Sequence, residues 1–455
     1  MRLGRIKRNL EPANDMNEHG KKRREKSYGF LFPLYHMLWT LAAVFIYPVA
    51  GLSKDGRLRA RLGFDLPQGP LNGGAIWLHA LSVGEVISAV PLVRKLRERY
   101  PARDLVLTVA TSKGMSIARS ELINTASFIL YMPVDFWWCV RRIAEWVRPD
   151  LFIIVETDIW PAMTDYMKRR GIMTLLVNGR ISPRTFRSYR RFNLFSRMIF
   201  NGVTLCLMQS ELDEKRLKKA GVNPQKIRRE GNIKFDRDWL PMQDRERGAW
   251  LDLFGFNRDE MIWVAGSTHK GEEEILLDVY RDLSREFAKL RLVIAPRRID
   301  EAEDIVRVAR EKGLRPLLRS ELKEKAEPGH LIVLDTLGEL GRVYGISHVS
   351  FVGGSLVPLG GHNLLEPAGF GCPVVFGRFI HNFQLMSEML LESGGGRCVS
   401  GREELKECIR GFIEDENLRT GAGRLAKSFV EENRGALDRV LGYIESGIER
   451  ADEGA

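Results

Sequence analysis

Cysteine is scarce: Cys139, Cys206, Cys372, Cys398 and Cys408 are the only five in 455 residues, odd in number, widely spaced and without a Cys-x-x-Cys pair. That spacing indicates neither a disulfide framework nor a zinc ribbon, and it suits a reducing cytoplasm. No glycine-rich calcium loop surrounds Asp236 and Asp238, and no histidine stands at ligand spacing beside them, so no metal is expected there. Zinc-finger spacing, an RNP signature and sequence repeats are also absent, which argues against a nucleic-acid reader or a solenoid. A cleaved leader is not expected either, because the polar stretch before the first apolar run is long and no clear small-x-small site follows.

What the chain does carry is positive charge and one long uncharged run. Basic side chains outnumber acidic ones by 70 to 59, a net charge of +11 that suits an anionic partner: nucleic acid, an acidic membrane surface or a phosphorylated substrate. Phe30 to Leu52 contains no Asp, Glu, Lys or Arg, includes Tyr35, Trp39 and Tyr47, and reaches the length of about 20 residues that a helix needs to cross hydrocarbon. It reads as a membrane anchor. Pro33, His36 and Pro48 count against a clean span, and a helix lying at the interface is the alternative. Lys21 to Lys26 and Lys54 to Arg61 place basic clusters on both sides, which suits anionic headgroups and leaves orientation open.

Beyond the anchor, short β-rich runs alternate with amphipathic stretches, the pattern of parallel sheets covered by helices on both faces. The first series of expected strands is Ala75–Ala80, Leu105–Ala110, Phe128–Met132, Leu151–Val155, Met173–Val177 and Val203–Met208. The pattern lapses around Gly231–Pro241 and resumes with Ile262–Ala265, Leu290–Ala295, Leu331–Leu334, His348–Val352 and Pro373–Phe376. Two doubly wound α/β domains with a cleft between them follow, with ligands expected beyond the carboxyl ends of the strands. From about Glu403 the chain reads as charge-rich helices, the last able to fold back.

The polar motifs fall at those strand ends. Glu85 closes the turn Leu81-Ser82-Val83-Gly84-Glu85, where a carboxylate can take a proton from a hydroxyl or can simply complement a helix dipole. Glu156 and Asp158 follow an apolar run, placed to shape the charge around a reacting sugar or to cap the next helix. Lys234, in Gly231-Asn232-Ile233-Lys234-Phe235-Asp236, can reach an anionic donor from the point where the first domain hands over to the second. In the second half, Gly266-Ser267-Thr268-His269, Pro296-Arg297 and Leu337-Gly338-Glu339 gather at strand ends, and Arg297 can hold a phosphate through paired hydrogen bonds. Gly360-Gly361-His362-Asn363 runs into Leu364-Leu365-Glu366, joining a glycine turn to a helix start whose N–H groups suit a phosphate and whose Glu366 suits ribose hydroxyls.

In order and spacing these segments resemble the 3-deoxy-D-manno-octulosonic acid (Kdo) transferases of lipopolysaccharide synthesis. The likeness rests on His79 to Glu85, Glu156 to Pro161, Asn178 to Ser182, Gly231 to Asp236, Ala265 to His269 and Phe351 to Ala368, and it covers nearly the whole chain from the anchor. The resemblance implies a GT-B arrangement of two Rossmann-like domains facing a central cleft. It also implies inverting transfer of Kdo from CMP-Kdo to a lipid A precursor at the cytoplasmic face of the inner membrane, without a metal or other cofactor and without nucleic acid. It makes Glu85 the base, with Glu156 and Lys234 stabilising the transition state. CMP contacts are then expected from Pro296, Arg297, Leu337, Gly338, Glu339, Asn363, Leu364, Leu365 and Glu366. The corresponding domains are a basic tail over 1–27, the anchor over 28–53, an acceptor domain over 54–236, a donor domain over 237–420 and a helical segment over 421–455 that packs back on the acceptor domain. Arg298 stands where the family places a histidine, Glu301 where an arginine is common, and Gly377-Arg378 departs from the usual Gly-Pro-His, so details of donor contact are the part most open to change. A lipid-directed GT-B enzyme using a UDP-sugar and a non-catalytic, membrane-associated anion-binding scaffold stay open as alternatives.

Overall fold

The computed structural model describes residues 31–52, 56–156, 158–236, 241–322 and 330–453. The basic tail over 1–27, Thr157 and Asp238 lie outside the described residues. The chain divides into two units, one comprising Met1–Arg237 with Arg434–Ala455 and the other Asp238–Asn433.

The first unit is built on a seven-stranded, wholly parallel sheet in the order β3-β2-β1-β4-β5-β6-β7. Its strands are β1 (Ala75–Ala80), β2 (Leu105–Val109), β3 (Phe128–Tyr131), β4 (Pro149–Val155), β5 (Met173–Gly179), β6 (Leu205–Met208) and β7 (Ile227–Arg229). Helices cover both faces, so β1 reads as a nearly unbroken apolar run and is buried throughout. Its side chains alternate between two cores. Ile76, Leu78 and Ala80 meet Val86, Val93 and Leu96 of the helix Val83–Arg99, while Ala75 and Trp77 face the cluster holding Ile143, Met163 and Phe200.

The C-terminal helix Ala436–Glu453 belongs to this unit, burying Leu437, Leu441 and Ile444 against the first core. Asp236 fixes its start by accepting hydrogen bonds from the N–H groups of Gly435 (2.5 Å) and Leu437 (2.8 Å). Asp236 is thus a helix cap. The preceding helix Glu416–Glu432 stays with the second unit, so the return falls at Arg434 rather than near residue 421. The reason is close packing: a Cβ on Gly423 would lie 2.2 Å from the carbonyl oxygen of Gly371, and Phe429 and Val430 are buried.

Leu31–Leu52 forms one helix of 22 residues. Tyr35 ties it to the unit by donating to Asp135 (2.7 Å), whose carboxylate also receives the N–H groups of Ala162 and Met163 at 2.9 Å. Leu34, Met37, Leu38, Leu41, Val44 and Phe45 are exposed on it. Among the described residues no helix is long and apolar enough to cross a membrane.

The second unit repeats the plan with the order β10-β11-β9-β8-β12-β13-β14, again all parallel. Its strands are β8 (Met261–Thr268), β9 (Leu290–Pro296), β10 (Pro316–Leu318), β11 (Leu331–Val333), β12 (Val349–Val352), β13 (Val374–Gly377) and β14 (Gly396–Val399). Trp263 and Ala265 pack with Leu276 and Leu283 on one face, and Ile262 and Val264 with Phe254 and Tyr344 on the other. The strands that the sequence pattern does not announce are β7, β10 and β14. Each is short and lies at a sheet edge.

Candidate active site

Strand order reverses between β1 and β4 in the first unit and between β8 and β12 in the second, and the loops leaving the carboxyl ends of those pairs flank a natural ligand crevice in each sheet. In the first unit these loops carry Glu85, after β1, and Glu156, directly after β4. Glu85 lies in the first turn of the helix Val83–Arg99, where its Oε2 accepts the N–H groups of Leu81 and Ser82. Burial is the main influence on its carboxyl, with the charges of Glu156 and Asp158 adding to it, and together they outweigh the backbone hydrogen bonds and push the group up to about 8. A half-buried acid of that kind is set for proton transfer near neutral pH.

Glu156 adopts φ +65°, a left-handed conformation uncommon for a residue with a side chain. That turn aims its carboxylate at two partners, the Nζ of Lys234 (2.8 Å) and the hydroxyl of Ser88 (3.1 Å). Lys234 is held in turn from β5: Asn178, also left-handed at φ +57°, accepts the N–H of Ile233 (3.2 Å), and Asn232 accepts the N–H of Lys234 (3.0 Å). The structure therefore joins Glu156 and Lys234 in one ion pair, with Glu85 close enough to feel the carboxylate.

A further pair lies below them. His79, fully buried at the end of β1, has Nδ1 3.1 Å from the carbonyl oxygen of Thr108 and Nε2 2.9 Å from Asp158. Nδ1 also lies 3.2 Å from the hydroxyl of Thr108, so the ring is held from both sides, by β2 and by Asp158. Trp160 also donates to Asp158 (2.7 Å). The sequence brings Asp158 forward as the partner of Glu156 and His79 only as part of a motif. The signal for their pairing is a histidine inside an otherwise apolar strand, a group that burial obliges to find a partner.

In the second unit, Glu272 organises the loops after β8 and β12. Wholly buried, it accepts the N–H groups of Gly354 (2.7 Å), Ser355 (2.9 Å), Leu356 (2.8 Å) and His269 (3.1 Å). The glycines serve this closeness: a Cβ at Gly353 would sit 2.4 Å from the carbonyl oxygen of Ser267, and Gly360 adopts φ +95° against Asn382. Across these loops His269 and His362 stack, their Nε2 atoms 2.8 Å apart, so one ring donates and the other accepts. Burial and the adjacent Arg297 lower His362 to about 4, which keeps it neutral.

The expected donor contacts divide into two groups. Arg297 is exposed at the end of β9, without an ion-pair partner among the described residues, and Leu337 and Gly338 form an exposed turn with Gly338 at φ +84°. The rest are engaged or enclosed. Pro296 is buried as the last residue of β9, Leu364 and Leu365 are core side chains, and Glu339 accepts from Arg319 (2.8 Å) and from Thr336. Asn363 bridges Glu366 (3.2 Å) and the N–H of Leu365 (3.2 Å). The helix they open, Leu365–Gly369, has five residues, a single turn that adds little dipole field, so the phosphate attraction expected of a full helix start is reduced. Arg298 is held on the surface by Asp300 (2.5 Å) and Glu301 (3.6 Å).

A crystal structure of UDP-N-acetylglucosamine 2-epimerase shares this two-sheet fold, with a TM-score of 0.57 and 14% identity over 83% of this chain and 97% of its own. A second one, from Neisseria meningitidis and bound to UDP-GlcNAc, has a TM-score of 0.57 and 11% identity over 82% of this chain and 100% of its own. These define the class as a pair of Rossmann-like units of the GT-B kind. A family model described as 3-deoxy-D-manno-octulosonic-acid transferase matches residues 56–237. The 3-deoxy-D-manno-octulosonic acid transferase of Haemophilus influenzae is 33% identical over 87% of this chain and 92% of its own length, and that of Chlamydophila psittaci 28% identical over 92% and 96%. The chain belongs to the Kdo transferase family and is a glycosyltransferase.

Proposed function

We propose that the protein transfers Kdo from CMP-Kdo to a tetra-acylated lipid A precursor in lipopolysaccharide synthesis, by single displacement with inversion. The observation that carries the mechanism is the raised carboxyl of Glu85 beside the Glu156–Lys234 pair at the switch point of the first sheet. Ionised Glu85 takes the proton of the acceptor hydroxyl. That oxygen bonds to the anomeric carbon of Kdo, and the bond from that carbon to the cytidylate phosphate oxygen breaks, its electron pair leaving with CMP. Positive charge grows on the sugar and is balanced by Glu156. Negative charge grows on the phosphate, for which Lys234 is the cation the first unit offers and Arg297 the one the second unit offers, and Leu337, Gly338 and the Asn363–Glu366 turn of the second unit are the residues for the nucleotide. Leu364 and Leu365 act by shaping that turn, since their side chains are core and the N–H of Leu365 is held by Asn363. No metal takes part in this step, so a chelator leaves the rate unchanged.

The site of action in this proposal is the cytoplasmic face of the inner membrane. Support comes from the exposed apolar residues of the helix Leu31–Leu52, suited to an interfacial position, and from a second patch. Arg184, Arg187, Arg190 and Arg191 of the helix Pro183–Arg191 are exposed without ion-pair partners among the described residues. Phe192, Leu194 and Phe195 are exposed next to them. Cations mixed with aromatic and aliphatic side chains fit phosphorylated headgroups over hydrocarbon.

Mass spectrometry of products formed from CMP-Kdo and the tetra-acylated precursor tests donor, acceptor and the number of sugars added together. The expected mass gain is one or more Kdo units. No gain with CMP-Kdo, together with sugar transfer from a UDP-sugar in the same assay, would overturn the proposal.

A further inference from the structure

A cavity of about 460 Å³ opens between the helix Leu31–Leu52 and the body of the first unit, walled by Trp39, Phe45, Leu58, Val134 and Trp160. Its polar lining is already committed. Asp135 is saturated by Tyr35 and the N–H groups of Ala162 and Met163, and Arg61 spends its Nε on the carbonyl oxygen of Met132 (3.1 Å). What is left is an apolar wall with one guanidinium at its edge, the surface of a site for an amphiphile rather than for a sugar or a nucleotide. The volume lies within the range of about 300–1,000 Å³ usual for small-molecule pockets.

Two continuities identify the occupant. On one side the cavity adjoins the exposed apolar residues of the N-terminal helix, Phe45 belonging to both. On the other it reaches the catalytic loop, because Trp160 is hydrogen-bonded to Asp158, two residues beyond Glu156. We propose that this cavity receives one acyl chain of the lipid acceptor, with Arg61 meeting the anionic headgroup to which that chain is attached. The inference rests on the lipid-acceptor reading above and adds to it a place for the chain. Insertion of a chain here registers the headgroup against the loop that carries Glu156, and so selects acylated over de-acylated acceptors.

Two measurements test this. Dodecyl phosphate carrying a terminal diazirine, photolysed with the full chain, should label peptides containing Leu58, Val134 or Trp160, and excess unlabelled dodecyl phosphate, but not inorganic phosphate, should suppress the labelling. Labelling confined to the exposed positions Leu38 and Leu41, or scattered over the protein, overturns the proposal. Val134→Phe, which fills the cavity, should raise the KM for the tetra-acylated precursor by about tenfold or more while leaving transfer to the de-acylated bisphosphorylated disaccharide unchanged. An equal effect on both acceptors, or on neither, contradicts it. If the wild-type protein transfers Kdo to neither acceptor, the proposed function fails, and photolabelling still decides the cavity.

Discussion

Glu85 is costly to keep where it is. Its carboxyl is raised from 4.5 to about 8, mainly by burial, so the folded state binds a proton there that the unfolded chain releases. Stability from this group is complete below about pH 4.5 and is lost as the pH rises through about 8. Glu85→Gln should therefore match the wild type in thermal stability at pH 4 to 5 and exceed it at pH 8 to 9, by on the order of 2 kcal/mol once solvent screening of a half-buried site is allowed for. Differential scanning calorimetry at the two pH values checks it; equal stability at high pH would mean that the group is not held neutral. In the proposed mechanism the same raised value governs activity, since a base must be ionised to act: kcat/KM should climb with pH to a plateau above about 8. Asp158→Asn removes one of the charges that raise Glu85 and should move that rise to lower pH. Glu85 and Glu156 stand out in the sequence as carboxylates after apolar runs. The link between Glu156 and Lys234 does not, because 78 residues separate them and only the fold of β4 and β5 brings them together.

At the scale of elements, the buried strands are the most legible feature of the sequence. β1 carries the expected limits unchanged, because a strand covered on both faces is apolar at nearly every position, His79 being the exception, and its neighbouring turns are polar. β7 and β14 escape the pattern because half their residues, Arg228, Arg229 and Arg397 among them, face water, and an edge strand need not announce itself. The glycine-rich turn at 353–361 is legible as a turn, but its organiser is not. Glu272 lies 82 residues before Gly354 and looks like one of three glutamates opening a helix. Leaving its four N–H partners without an acceptor should cost on the order of 3 kcal/mol, and Glu272→Ala should lower the melting temperature and weaken CMP binding together. Titration calorimetry with CMP reads the second effect. Unchanged affinity would separate this loop from the donor. Asp236→Ala removes a cap and should loosen the C-terminal helix at a cost of about 1 kcal/mol, seen as faster proteolysis beyond Arg434.

On the scale of the whole chain, the net charge of +11 and the apolar N-terminal helix serve one purpose in this account, bringing the catalytic units to a lipid substrate. Charge reversal of Arg187 and Arg190 should reduce co-sedimentation with anionic liposomes, more strongly at low salt than at high, and leave binding of CMP in solution unaltered. Loss of CMP binding in the same variant would point to misfolding instead. The central claim is that Glu85 takes the proton from the acceptor while CMP leaves the sugar of the donor. Single-turnover transfer of Kdo, followed by mass spectrometry from pH 6 to 9 in the wild type and in Glu85→Gln, tests it most directly. The account predicts a wild-type rate that rises with its midpoint near pH 8 and a variant slower by about 10² to 10⁴-fold with no such rise. A variant that keeps near-normal turnover and the same pH dependence would contradict it.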